Sequence, residues 1–316
     1  MKTKLTILST IFLSGCCLCG KAPRIANPLS PTEPFRIAII PDTQWASLKW
    51  PGVLKTTTRW IAANHESMDI KYVLHVGDMV ENGHADGEWK NFNAAMSVLD
   101  GKVPYILAVG NHDIGKTADA GGTTKFNEYF PRKRFTQLAG FGGTYPRRKN
   151  DNSYHTFDAG GIVWLVIALK FCPTDEELKW ANDIVALHPG HQVIVLTHSY
   201  LTHRGRDTSG ENIWNRFVKS HENILMVLCG HLSTVHYVST GDKGNKVYEM
   251  LFDWQNDRQP EPNSYFVLAE IDPVSKRISI RTYSPLLDNY KTDPRAKFEF
   301  RDVKFVSDRN AALTAN

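Results

Sequence analysis

"FRIAIIPDTQW", residues 35–45, is an apolar run that stops at Pro41 and gives way at once to Asp42, Thr43 and Gln44. A continuous run of that length, closed by proline, reads as a strand buried on both faces. A carboxylate just past such a strand stands where open α/β sheets place their sites. The same pattern recurs along the chain. "YVLHV" (72–76) ends at Gly77-Asp78, and "YILAV" (105–109) ends at Gly110-Asn111-His112-Asp113. "QVIVLT" (192–197) ends at His198, and "ILMVLC" (224–229) at Gly230-His231. Each polar residue alone has a plain reading as a turn cap or a hydrogen-bonded interior group. Five strand ends carrying Asp42, Asp78, Asn111, His198 and His231 are all of metal-ligand type. That set points to a metal centre.

Between these strands lie segments of helical spacing. Val53, Leu54, Thr57, Trp60, Ile61 and Met68 form one, and Trp89, Phe92, Met96 and Leu99 another. Thr174 and Glu177 make a capping box that opens a helix through Leu187, and Ile213 to Val218 marks a fourth. Alternating strands and helices imply right-handed crossovers around parallel strands. Two hairpins are expected as well, 154–158 with 162–169 and 265–271 with 277–283. A further strand is expected over 247–252, and 298–306 to close an edge. The expected fold class is α/β: two sheets packed face to face, flanked by helices. No linker-like composition interrupts residues 35–306, so one domain is expected there, with 307–316 as a tail.

The 316 residues are 42% hydrophobic, enough for a sizeable core, and the net charge of +4 suits anionic substrates without requiring nucleic acid. No basic run interleaved with aromatics suggests a nucleic-acid groove, and no protein partner is indicated. Residues 1–15 read as a signal peptide: Lys2 and Lys4 precede an apolar stretch, Leu5–Leu13, far short of the ~20 residues of a membrane span. Leu13-Ser14-Gly15-Cys16 resembles the lipobox of bacterial lipoproteins. The resemblance implies a lipidated Cys16 and an exported protein anchored to a membrane at the periplasmic or cell-surface side, and the four prolines of 21–34 read as part of a tether over 16–34. An ordinary cleaved signal is the alternative. Cys172 and Cys229 remain in the body of the chain; export permits a disulfide, but their spacing does not establish one.

The oxygen and imidazole donors suit Mn, Fe, Zn or Co, and they exceed what one four-coordinate ion needs. Two ions sharing a carboxylate are therefore expected. Asp42-Thr43-Gln44, Gly77-Asp78 through Glu81, Gly110-Asn111-His112-Asp113, Thr197-His198 and Gly230-His231 resemble, in order, the motifs of the calcineurin-like metallophosphoesterases. The resemblance spans roughly residues 36–235. It implies a four-layer sandwich and hydrolysis of a phosphate ester by a metal-bound hydroxide at a dinuclear centre. By the same resemblance Asp78 would bridge the ions, Asn111, His198 and His231 would complete the second site, and Asp42 would serve the first. His112 would protonate the leaving group, Asp113 would orient it, and Glu81 and Asn82 would hold the ligands in place.

The sequence departs from the family pattern where the family usually has Asp-x-His and Gly-His-x-His. Gln44 and Ser233 stand at those second histidines. A first site of oxygen donors, preferring Mn- or Mg-like ions, is expected, with His236 a stand-in only if the loop bulges and otherwise a residue on a strand surface. Arg204 and Arg206 are candidate phosphate contacts. Asp253-Trp254-Gln255 either reaches the pocket or only turns the chain. Substrates compatible with the motifs are phosphorylated small molecules, glycans and lipid headgroups. A catalytically weakened, surface-tethered binding module with one metal is the alternative function.

Overall fold

The computed structural model describes residues 32–114, 123–255 and 263–308. The segment Phe35–Ile40 forms β1 and shows why the run is apolar throughout. Phe35, Ile37 and Ile39 face the core between two sheets, and Ala38 and Ile40 face a helical layer on the other side. Successive strand residues point to opposite faces, so a strand covered on both sides has no polar face to offer.

Among the described residues the first sheet holds β1, β2 (Ile70–His75), β3 (Tyr105–Leu107), β13 (Phe266–Asp272), β14 (Arg277–Ser284), β15 (Asn289–Tyr290) and β16 (Lys297–Phe300). Its order is β15-β14-β13-β1-β2-β3, with β16 also on β14; β1, β2 and β3 run parallel, and β13 joins β1 antiparallel. The second sheet holds β4 (Phe141–Tyr145), β5 (Asn152–Ala159), β6 (Ile162–Ala168), β7 (Gln192–Leu196), β10 (Ile224–Cys229), β11 (Val235–Thr240) and β12 (Lys246–Leu251). Its order is β11-β12-β10-β7-β6-β5-β4. A small ribbon, β8 (Leu201–Thr202) with β9 (Gly205–Arg206), follows β7.

Helices cover both outer faces. On the first sheet lie α1 (Gln44–Lys49), α2 (Pro51–Asn64) and α3 (Asp86–Met96), with the short turns α4 (Asn111–Ile114), α5 (Thr124–Tyr129) and α6 (Arg132–Phe135) beside them. Leu54, Ile61, Trp89, Phe92, Phe126 and Phe135 pack there against Ala38, Ile40, Val73 and Leu107. On the second sheet α7 (Asp175–Ala186) and α8 (Thr208–Arg216) seat Leu178, Ala181, Ile213 and Trp214 on Leu165, Val193 and Val227. The capping box at Thr174 and Glu177 is present. The result is the expected α/β architecture, two sheets between two helical layers.

Several expectations shift in detail. The helix expected to begin near Val53 is preceded by α1, which starts at Gln44 itself. Of 298–306, only 298–300 is strand, the end of β16 (Lys297–Phe300), which pairs with β14. Cys172 is exposed and Cys229 buried, and both are free thiols. The signal segment, Cys16 and most of the tether and tail lie outside the described residues. No helix among the described residues is long and apolar enough to cross a membrane.

Candidate metal centre

The carboxyl ends of β1, β2, β3, β7 and β10 meet at one edge of the sandwich. Two of the polar residues they deliver take up left-handed backbone, Asp78 at φ 50° and His231 at φ 80°. Such conformations are costly for non-glycine residues and persist where the surroundings fix them. Close approach is enforced by two glycines. A Cβ on Gly110 would lie 2.1 Å from Asp78 Oδ1, and a Cβ on Gly230 would lie 2.1 Å from Asp42 Oδ1. Each ligand-bearing loop is thus seated against a carboxylate from its neighbour.

His198 is fully buried and donates through Nδ1 to the Val76 carbonyl at 2.9 Å. That bond leaves Nε2 facing Asn111 Oδ1 at 3.0 Å and Asp78 Oδ1 at 3.2 Å. In the tautomer fixed by Val76 all three atoms are lone-pair donors, an arrangement that calls for a cation between them. Without an ion, a proton serves. Burial alone would lower His198, but the charges of Asp78 and Asp42 and its hydrogen bonds raise it to about 10. His231 lies beside it, with ring centroids 5.0 Å apart, and ligand atoms of Asp78, His198 and His231 all fall within 4.8 Å of one another. Burial and the charge of His198 keep His231 below its ordinary value, in the neutral form that ligates metal.

Asp78 divides its two oxygens. Oδ1 faces His198 and also accepts the His112 backbone N–H at 3.0 Å; Oδ2 accepts Gln44 Nε2 at 3.3 Å. Burial pushes this carboxyl up, and the neighbouring His198 outweighs it, leaving Asp78 below the usual carboxylate range. Asp42 is held by the His231 backbone N–H at 3.0 Å, and burial raises it well above its ordinary value. Gln44 is 3% exposed, and its Oε1 is buried without a hydrogen-bond partner among the described residues. An orphaned amide oxygen beside a shared carboxylate fits a hard cation. The residues present therefore fit divalent ions on both sides of Asp78.

His112 is half-buried at the rim. Its Nδ1 lies 3.0 Å from the Glu81 carbonyl and 3.4 Å from Glu81 Oε2, and its Nε2 lies 4.0 Å from Asp78 Oδ2. The carboxylate behind the imidazole is therefore Glu81. Asp113, expected in that place, is fully buried and points the other way. It accepts the N–H groups of Met79 at 2.8 Å, Val80 at 3.1 Å and Gly110 at 2.7 Å, tying the Asp78 loop to the Asn111 loop. Burial and the charge of Asp78 push Asp113 up to about 7. A carboxylate one residue along a helical turn from the histidine points inward, which the GNHD string does not reveal.

Other candidates also move. Asn82 bonds Glu88 Oε1 at 3.1 Å instead of a ligand, and Glu88 in turn accepts the N–H groups of Glu81 and Asn82. Arg206 lies over the Trp214 ring and pairs with buried Glu249 at 2.6 Å, so its charge is already countered within the fold, and Arg204 is exposed beside His203. Ser233 is exposed. His236 lies on β11 and stacks on Phe298 with centroids 3.9 Å apart, so the loop does not bulge to bring it in. Sequence reasoning missed three contributors. His75, neutral and lowered to about 3 by burial, bonds Thr43 Oγ1 at 3.0 Å and braces the Asp42 loop. Phe171 packs on both ligand histidines. Glu88 shapes the Glu81 turn. Its only signal was an acidic residue in the first turn of a helix, which ordinarily reads as a response to the helix dipole.

The comparisons with known proteins agree with this geometry. Residues 35–234 match the family model described as calcineurin-like phosphoesterase. The uncharacterized protein YvnB of Bacillus subtilis is 32% identical over 265 residues, covering 80% of this chain and 20% of that protein. The chain thus spans only a small part of that relative. A purple acid phosphatase from yellow lupin superposes with a TM-score of 0.54 at 16% identity, over 85% of this chain and 54% of that one. A dimetal phosphatase from Danio rerio gives the same TM-score at 13% identity, over 85% of this chain and 99% of that one. The last two likenesses speak for the fold, and the family match covers well over half of the chain, including every strand end that converges on Asp78. By that match and that convergence, the chain belongs to the calcineurin-like phosphoesterase family.

Proposed function

We propose that this protein hydrolyses a phosphate ester at two divalent ions held on either side of Asp78. The observation that carries the reading is the divided carboxylate: one oxygen faces His198 and Asn111, the other faces Gln44. Asn111, His198 and His231 would hold one ion with Asp78, and Asp42 and Gln44 the other. Bound ions at such a pair supply Lewis acidity toward phosphoryl oxygens and ease ionisation of water at neutral pH. The chain's own residues do the rest. His112, anchored through Nδ1 by Glu81, presents Nε2 beside Asp78 and open to solvent, where it gives a proton to the departing alkoxide. Glu81 holds the ring in that orientation through its carbonyl and its carboxylate. Asp113 keeps the two ligand loops in register.

The first site, rich in oxygen, would prefer Mn- or Mg-like ions, and the second, with two imidazoles, Zn or Fe. Phosphorylated small molecules, glycans and lipid headgroups fit the reading, with the enzyme tethered at a membrane surface through Cys16. The test is metal analysis of the purified protein, followed by turnover of an aryl monoester and a diester with Mn, Fe and Zn. His112→Ala should lower kcat by roughly 100- to 10,000-fold with unchanged metal content. Unchanged turnover in that variant rules the mechanism out. The exposed Ser233 and the glutamine at position 44 favour a second reading, a tethered binding module with one ion. One metal per chain and no activity on either ester would support it.

A further inference from the structure

The first site, as the family motifs describe it, lacks two histidines here, and Ser233 does not fill the gap. The structure assigns the missing ligand to Asp253, a residue outside those motifs; the assignment rests on the dinuclear reading above. β10 and β12 run parallel with Cys229 opposite Leu251. His231 and Asp253 therefore each stand two residues beyond that last pair, side by side at the edge where the site lies. The backbones are tied there: Phe252 N–H donates to the Cys229 carbonyl at 3.0 Å. Thr234 Oγ1 accepts the Asp253 N–H and donates to its carbonyl, each at 3.0 Å. Asp253 is consequently fixed to the very loop that carries His231.

Asp253 is 7% exposed. Gln255 donates to both oxygens, through N at 2.8 Å and Nε2 at 3.1 Å, and no basic side chain pairs with it among the described residues. It lies near enough that its charge acts on Asp42. Buried carboxylates without a countercharge are costly to keep. A separate observation points to what they hold. Gln44, nine-tenths buried and more, lays its amide against Asp78 Oδ2 and leaves Oε1 unpartnered among the described residues. Asp42, Gln44, Asp78 and Asp253 together offer a set made only of oxygens. That set takes a hard divalent cation of the Mn or Mg kind, where an imidazole-bearing site takes Zn or Fe. Asp253 thus adds, from a different strand, the donor that position 233 does not supply, beside the amide oxygen that Gln44 offers in place of an imidazole.

The experiment is metal binding by the full chain, independent of turnover. Chelated protein is titrated with Mn2+ by calorimetry, and ions per chain are counted by plasma mass spectrometry for wild type, Asp253→Asn, Asp253→His and Ser233→Ala. Wild type and Ser233→Ala should hold two ions. Asp253→Asn should hold one, with the weaker Mn2+ step lost or weakened at least ten-fold. Asp253→His should fold as a donor-bearing variant and move the preference of that step from Mn2+ to Zn2+, which a merely structural role would not do. Two ions in Asp253→Asn, with Mn2+ affinity within two-fold of wild type, overturn the assignment and leave the dinuclear reading standing. One ion in wild type, unchanged in Asp253→Asn, overturns both.

Discussion

At the scale of single residues, two neighbouring carboxylates have exchanged the roles that their order in the chain suggests. Glu81 stands behind His112, and Asp113 pins backbone. The difference is measurable. Glu81→Gln keeps the carbonyl anchor and loses the charge, so kcat should fall on the order of ten-fold with melting temperature unchanged. Asp113→Asn should do the reverse in kind. An amide offers one acceptor oxygen where three N–H groups converge, and its NH2 confronts at least one of them. The cost should be about 1–3 kcal/mol of stability, read as a lower melting temperature together with weakened metal binding. A melting temperature equal to wild type would show that Asp113 is not the tie between the loops. Residues of this sort were hard to read from sequence. His112 and Asp113 are adjacent in the chain, but the α4 turn aims one at the rim and the other inward.

Elements were far more legible than side-chain roles. The strands that bear ligands are buried on both faces, so their apolar runs stand out without any knowledge of partners. The exposed pieces were harder to foresee: β11 and β4 are half-exposed and carry little periodic signal, and only the strand surface at His236 was expected. The same limit explains Arg206 and His236. Their partners, Glu249 and Phe298, lie far off in sequence, and only the pairing of β11, β12 and β16 with their neighbours brings them together. What the elements demand of their ends can be tested at Gly230, which joins β10 to His231. An added Cβ would press on Asp42 Oδ1 and on the Val76 side chain at 2.7 Å. Gly230→Ala should therefore cost about 1–3 kcal/mol and displace Asp42, with loss of one ion per chain by metal analysis. Retention of both ions at wild-type affinity would mean that the loop can yield.

For the whole molecule, metal and proton compete for the same buried groups, and the direction follows from their pKa shifts. In the metal-free chain Asp113 is raised to about 7 and His198 to about 10. Both hold protons in the folded state that the unfolded chain has released. Their stabilisation is full below the unfolded values and is lost as pH rises through the folded ones. His75 and His155, lowered to about 3 by burial, are neutral in both states above about pH 7 and do not oppose this trend. Metal-free protein should thus melt at progressively lower temperature from pH 7 to 9, whereas metal-loaded protein, its protons displaced, should not. Ions present at about a hundred times their dissociation constant should add about 3 kcal/mol each, several degrees in a calorimetric scan. A flat metal-free profile over that range would contradict the assignment of charge to His198. The centre also draws its donors from both halves of the sandwich: Asp42, Asp78 and Asn111 from the first sheet, His198 and His231 from the second. Ions bound there, as proposed, would act as a fastener across the seam between two layers otherwise joined by greasy contact. Neither layer could then peel back at that edge without the other, and the stiffness of this rim would follow whatever metal the surroundings provide.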